Sequence, residues 1–246
     1  MLIGAMNHPR EDVLREIDWM AELGLEFVDL TIEPPAAASW NIRPAEIRRR
    51  LADYGMDVVG HTAYYLPFAS AFESVRQGAV EEVKRCIDLF AEIGVRWMNL
   101  HPDRHTPMHN RPFYIQRNIE SLEHLWEHAQ KAQVGLMIEN LPGDFNSAPQ
   151  LGELLAPLAW LGLHLDIGHA NLIVPHNTTG EILEAWGDRL KHVHLHDNRG
   201  GHADLHLPLG TGDIDIPWAV RALKDCKYDA TITLEPSAAW RGHEAG

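Results

Sequence analysis

The sequence predicts an α/β protein: a single (β/α)8 barrel over residues 1–246, with its last helix short or missing. Three observations predict it. Four times an amphipathic stretch ends in a glycine and passes into a short apolar run, at Gly24, Gly55, Gly94 and Gly135. Four further apolar runs bring the strands to eight. Almost every run then meets an ionisable residue at its end, as strands that open onto one common mouth would. A doubly wound sheet is the competing architecture, but it would carry a Gly-rich phosphate loop after an early strand, and none is present.

Taken in order, the first strand is expected at residues 2–5. The helix after it carries Val13, Leu14, Ile17, Met20, Ala21 and Leu23 on one face. Strands at 26–32, 57–60, 95–100 and 135–138 alternate with helical patterns at 48–54, 80–93 and 115–132. Each of the four glycines suits the left-handed position just past a helix C-terminus. Strands at 161–165, 192–195 and 231–234 complete the set. Only Pro236 to Gly246 follow the last strand, which implies either a short cap or a partner subunit that completes the barrel, the second of which would make a homo-oligomer.

The chain has 246 residues, 45% of them hydrophobic, enough for one sizeable core, and it contains no linker-like tract. Its 21 basic residues face 35 acidic ones, a net charge of −14 that argues against nucleic acid or an anionic membrane as partner. The loop at 102–112, a natural place for phosphate contacts, carries only Arg104 and Arg111. The N-terminus runs straight into strand-like sequence, and no apolar run approaches membrane-spanning length. Cys86 and Cys226 make no disulfide framework. A cytoplasmic protein is expected.

Function concentrates in Lys191 to Asp213, K-H-V-H-L-H-D-N-R-G-G-H-A-D-L-H-L-P-L-G-T-G-D, which holds five of the 16 histidines. His192, His194 and His196 alternate and so share one strand face, with His192 a layer below His194. Such a run is poor core material, because each polar group would need a buried partner, but it is good metal-ligand material. The strand ends elsewhere deliver Glu33, His61, His101, Glu139, Asp166 and Glu235 to the same mouth. Any one of these reads as a satisfied polar residue or a helix cap. Together they imply a cation, since gathered carboxylates repel without one.

The remaining histidines read differently. His124 and His128 are four apart on a helix whose neighbours Glu123 and Glu127 mark a solvated face. His105 and His109 lie in the loop after the fourth strand, while His8, His164, His176 and His243 give no signal. Tyr64, Tyr65 and Trp240 are candidates for the pocket wall.

These motifs resemble the xylose-isomerase-like TIM-barrel superfamily, which joins sugar and sugar-phosphate isomerases and epimerases to the endonuclease IV-type nucleases of abasic sites. The marks are H-T-A-Y-Y-L-P from His61, I-E-N at Glu139, L-D-I-G-H-A-N around Asp166 and His169, V-H-L-H-D-N at His194, D-L-H-L-P-L-G-T-G from Asp204 and L-E-P at Glu235. The isomerase branch implies one divalent ion (Mn, Mg, Co or Zn) held by Glu139, Asp166, His194 and Glu235. Glu139 and Glu235 would be the catalytic acid and base, working through an enediolate. His169 and Arg199 would bind the substrate, a small sugar or sugar phosphate. The nuclease branch implies up to three zinc ions, with His61, His101, His169, Asp204 and His206 as additional ligands. A non-catalytic metal or sugar binder would need only the first four.

Overall fold

The computed structural model describes residues 1–104 and 107–235. Eight parallel strands close into a barrel in chain order, the eighth pairing with the first. They are β1 (Leu2–Met6), β2 (Phe27–Ile32), β3 (Asp57–Thr62), β4 (Trp97–Leu100), β5 (Gly135–Glu139), β6 (Gly162–Asp166), β7 (Leu190–Leu195) and β8 (Thr231–Leu234). Among the described residues seven α-helices accompany them: α1 (Val13–Glu22), α2 (Pro44–Tyr54), α3 (Glu73–Ile93), α4 (Arg111–Ala132), α5 (Ala148–Leu155), α6 (Thr179–Trp186) and α7 (Ile216–Asp225). The expected short or missing eighth helix falls in 236–246, outside the described residues, as do Trp240 and His243; His105 lies outside them too.

Local chemistry sets the helix ends. Asp12 caps α1 by accepting from the Leu14 and Arg15 N–H groups, and Asn110 caps α4 by accepting from Phe113. Helices α2, α3 and α4 start earlier than their apolar periodicity implied, because their first turns are polar or contain proline. Gly55 and Gly94 close α2 and α3 at φ 66° and 105°, as expected of residues past a C-terminus. Gly135 does not play that part. The left-handed cap of α4 is Gln133, at φ 60°, and Gly135 opens β5, where a Cβ would lie 2.4 Å from the Trp97 ring.

The main apolar core lies between the outer strand faces and the helices. Val28, Leu30, Met98, Leu136, Leu163, Val193 and Ile232 meet Ile17, Ile47, Val83, Phe90, Leu125, Leu154 and Leu223 there. Inside the barrel the apolar part is small. Phe27, Val59 and Met137 form a floor at the N-terminal end of the strands, with Leu2 and Trp97 packed against it. The floor needs glycine beside it: a Cβ on Gly4 would come within 2.4 Å of the Phe27 carbonyl oxygen. Above the floor the lumen turns polar. Asp29, Asn99, His164, His192 and Thr233 are all buried there, where barrels of this type usually stack branched aliphatic side chains.

No helix among the described residues is long and apolar enough to cross a membrane.

Candidate metal centre

Parallel pairing carries the ionisable residues to one rim. Glu139 and Asp166 are the last residues of β5 and β6, His194 stands in β7, and Glu235 follows β8. The register puts Asp166 beside His194, and Glu139 beside His164. Glu139, His194 and Glu235 line a cavity of about 330 Å³ at the mouth, together with Glu33, His61, His101, Arg104, His169, Asp204 and His206. Asp166 sits behind this lining, fully buried.

The donor set fits a cation. Asp166 Oδ2 is buried without a hydrogen-bond donor, a costly state for a carboxylate oxygen. It lies 3.3 Å from His169 Nδ1 and 4.0 Å from His194 Nδ1. Glu235 Oε2 is 3.1 Å from that same His194 nitrogen, and Glu139 Oε1 is 3.1 Å from His169 Nδ1. Three carboxylates and the two imidazole nitrogens thus form one chain of close contacts, within which Glu139, Asp166 and His169 lie close enough together to hold an ion, and the oxygen-rich set suits a hard or borderline divalent ion.

Two further groups flank this centre. His61, His101 and Glu139 form one; His169, Asp204 and His206 form the other, joined by His196. Glu139 belongs to both the first group and the centre: its Oε2 accepts from Asn99 Nδ2 at 2.6 Å and lies 2.9 Å from His101 Nε2. In the second group, His169 Nε2 and His206 Nε2 each approach Asp204 Oδ2 at 3.2 Å. The Nδ1 of His206 is 3.0 Å from the Glu235 carbonyl oxygen, and its backbone is held at φ 44°, a position strained for a side chain other than glycine.

Neighbouring residues of the same motifs hold the candidate ligands in place. Asn140 clamps the backbone of Asp166 from both sides, donating to its carbonyl at 2.9 Å and accepting from its N–H at 2.7 Å. Asn146 ties down the carbonyl oxygens of His169 and Leu172. Gly168 leaves room for the His196 ring, which a Cβ would meet at 2.1 Å. The Asp197 carboxylate accepts four backbone N–H bonds, from Asn198 and Ile214 on Oδ1 and from Gly210 and Gly212 on Oδ2. Asp197 therefore anchors the loop that carries Asp204 and His206.

Electrostatics follow from this crowding. Burial acts to raise Glu139, yet the neighbouring His101 and His164 hold its carboxyl well below the usual range. Burial likewise opposes ionisation of Asp166, but His169 and His196 bring it to about 2. Glu235 is lowered by His194 against the same desolvation. Conversely, burial disfavours charge on His169 and His194, and the adjacent Asp166 and Glu235 carboxylates nevertheless raise both well above an ordinary imidazole. His206 reaches about 9 through its bond to Asp204, despite burial. The rim is thus a set of ionised carboxylates balanced by imidazoles.

Of the other sequence-predicted residues, Tyr64 lines the cavity, and Tyr65 hydrogen-bonds Glu33, whose carboxyl burial raises. Arg199 is exposed and is not among the cavity-lining residues; among the described residues Arg104 is the Lys or Arg found there. His128 pairs with Asp88 rather than with His124. His192 lies a layer below His194, inside the barrel. Sequence reasoning missed Asp29, Asn99, His164 and the membership of His196 in a donor group. The available signal was a polar residue on the inner face of a strand whose outer face is apolar, as at Asp29 in F-V-D-L-T-I and Asn99 in W-M-N-L.

One loop residue gives a pH-dependent prediction. Asn118 clamps the backbone of Asp103 through both its N–H and its carbonyl, and the Asp103 carboxylate accepts from the Ala69 N–H at 2.6 Å. Burial lifts this carboxyl to about 6, although the Ala69 bond acts the other way. The folded protein therefore holds the proton more tightly than the unfolded chain, and this stabilisation fades as pH rises through 6. Asp103→Asn is expected to be more stable than the parent at pH 8, by up to about 2 kcal/mol, with a smaller gain at pH 5. Thermal melts at the two pH values test this; an equal difference at both would refute it.

Residues 17–245 match the family model described as the xylose isomerase-like TIM barrel, and the chain belongs to that family. An uncharacterized protein of Methanocaldococcus jannaschii is 30% identical over 77% of this chain and 67% of its own length. A probable endonuclease 4 of Aquifex aeolicus is 24% identical, covering 94% of this chain and 89% of the relative. A fructoselysine 3-epimerase of Shigella flexneri is 23% identical, covering 94% and 87%. Among solved structures, a D-tagatose 3-epimerase-like protein superposes with a TM-score of 0.84 at 24% identity, covering 96% of this chain and 91% of that one.

Proposed function

We propose that the protein is a divalent-metal-dependent isomerase or epimerase of a small sugar or sugar phosphate. The observation that carries this reading is the pairing of two ionised glutamates, Glu139 and Glu235, with the donorless oxygen of Asp166 and with His194 Nδ1 around one small cavity. A space of about 330 Å³ is large enough for a small sugar and falls in the range of small-molecule sites. The fructoselysine and tagatose epimerase names among the relatives and similar structures support the same chemistry.

Glu139, Asp166, His194 and Glu235 would hold the ion: Mn, Mg, Co or Zn. When bound, it supplies Lewis-acid polarisation of a carbonyl and its neighbouring hydroxyl. The chain's own groups do the rest. Glu139 and Glu235 are both ionised at rest; one would remove a carbon-bound proton beside the carbonyl, by way of an enediolate, and the carboxyl so formed, directly or after passing the proton to the other, would supply the proton that is returned. Asn99 steadies Glu139 through its 2.6 Å bond. His169 at the cavity wall is assigned to a substrate hydroxyl, and Arg104 or the outlying Arg199 to a phosphate when one is present.

One observation favours a second reading. The flanking groups, His61–His101–Glu139 and His169–Asp204–His206, are each compact enough to hold an ion of their own, as a three-zinc phosphoesterase requires. A DNA substrate fits poorly: the net charge is −14, and among the described residues Arg104 is the only Lys or Arg at the cavity.

Metal content per chain, measured on protein purified without chelators, separates the readings. About one ion with interconversion of a ketose or ketose phosphate supports the isomerase; about three zincs with phosphodiester cleavage supports the alternative. One ion without turnover on any such substrate indicates a binder. Asp204→Ala is expected to reduce isomerase turnover by no more than about 10-fold. A loss of about 10³-fold would instead assign Asp204 to an essential ion.

A further inference from the structure

We infer that Asp29, buried in the lumen on β2, is the positioning residue that sets which nitrogen His194 offers to the metal. This rests on His194 being a ligand, as proposed above, but on no particular substrate. The side chain is far in sequence from every motif residue, and fully buried. Its Oδ2 lies 2.7 Å from His194 Nε2 and accepts from Thr233 Oγ1 at 2.9 Å. His192 Nε2 stands 3.2 Å from the same oxygen.

The geometry divides the His194 ring into two ends. Nε2 faces Asp29, an obligate acceptor when ionised, so this nitrogen carries the hydrogen. Nδ1 is left to face Glu235 Oε2 at 3.1 Å and Asp166 Oδ2 at 4.0 Å, on the side where the other ligand oxygens converge. A carboxylate behind a ligating imidazole fixes its tautomer, locks its rotation and raises its basicity toward a cation.

The rest of the lumen reads as support for this pair. Thr231 Oγ1 is 2.7 Å from His192 Nδ1, and Thr233 Oγ1 is 3.1 Å from His192 Nε2. His192 is thereby pinned beside Asp29 and screens it from the apolar floor, where Phe27 meets the His192 ring edge-on at 5.8 Å between centroids. The polar layer below the site thus orients one ligand, which explains carboxylate and imidazole where aliphatic packing would be more stable.

The test uses the metal alone. Affinities for Mn(II) and Zn(II) are measured by chelator competition on the whole chain, for wild type, Asp29→Asn, Thr233→Val and His194→Ala, together with the rise in Tm that saturating metal produces. Asp29→Asn keeps the shape but loses the charge, and is expected to weaken metal binding by about 10–100-fold. Thr233→Val removes a bond to the same oxygen without touching the ligand; its metal affinity should stay within about threefold of wild type, even if its metal-free Tm falls. An Asp29→Asn protein whose metal-free Tm drops but whose affinity and metal-induced Tm rise are unchanged would make Asp29 merely structural and overturn the inference. Should that variant fail to fold, Asp29→Glu replaces it, with the same two readouts deciding. Unchanged binding by His194→Ala would overturn the ligand assignment itself, and this inference with it.

Discussion

Replacing Glu139 with Gln is expected to lower turnover by about 10³-fold or more while leaving the barrel folded. The substitution changes almost no volume, so packing around β5 survives. What it changes is charge and hydrogen-bond polarity. If the new amide nitrogen takes the Oε2 position, it confronts the donor Nδ2 of Asn99, now 2.6 Å away, and two donors oppose each other. If it takes the Oε1 position, it faces His169 Nδ1 and removes an anionic ligand from the centre. Either way the base is gone. Glu235→Gln should fall as far, since its Oε2 is the carboxylate oxygen nearest His194 Nδ1 on that side of the site. The check is kcat on the sugar that the substrate panel identifies, with circular dichroism to confirm the fold. Activity near the wild-type level in either variant would end the proton-transfer assignment.

The second large effect is expected at Asp197, which no proton or substrate need touch. Its two carboxylate oxygens each accept a pair of backbone N–H groups, and the residue is fully buried. Asp197→Asn converts one oxygen into a donor and sets it against two donors. Leaving such groups unsatisfied costs about 1–3 kcal/mol apiece, so a loss of about 3–5 kcal/mol is expected. For a chain of this length that corresponds to a fall in Tm of roughly 10 °C or more. Because the loop also carries Asp204 and His206, binding of any ion at the second flanking group should weaken in parallel. A melting temperature within about 2 °C of wild type would show that the turn from Gly210 to Ile214 holds itself.

These residues also show what a sequence can and cannot disclose. Strand ends were legible because a barrel strand is a short apolar run, and Glu139 or Asp166 interrupts that run where the mouth begins. Gly55 and Gly94 were legible because a helix C-terminus is a local event. Gly135 obeys a different constraint: the ring of Trp97, on the neighbouring strand, occupies the space a side chain would need. No local pattern carries that. Asp29 escaped notice for a similar reason. One carboxylate in F-V-D-L-T-I has no meaning until the barrel closes and brings β2 within reach of β7 across the lumen. Helices α5 and α6, each of eight residues, are too short for periodicity to speak clearly, and their positions follow from the strands they connect.

The aromatic floor has a consequence for traffic. Phe27 and Trp97, set against glycines that admit no side chain, shut the N-terminal end of the barrel, and the buried imidazoles of the lumen fill the space between floor and rim. Among the described residues the site is therefore a well closed at its N-terminal end, and a molecule bound there would enter and leave on the side of the rim.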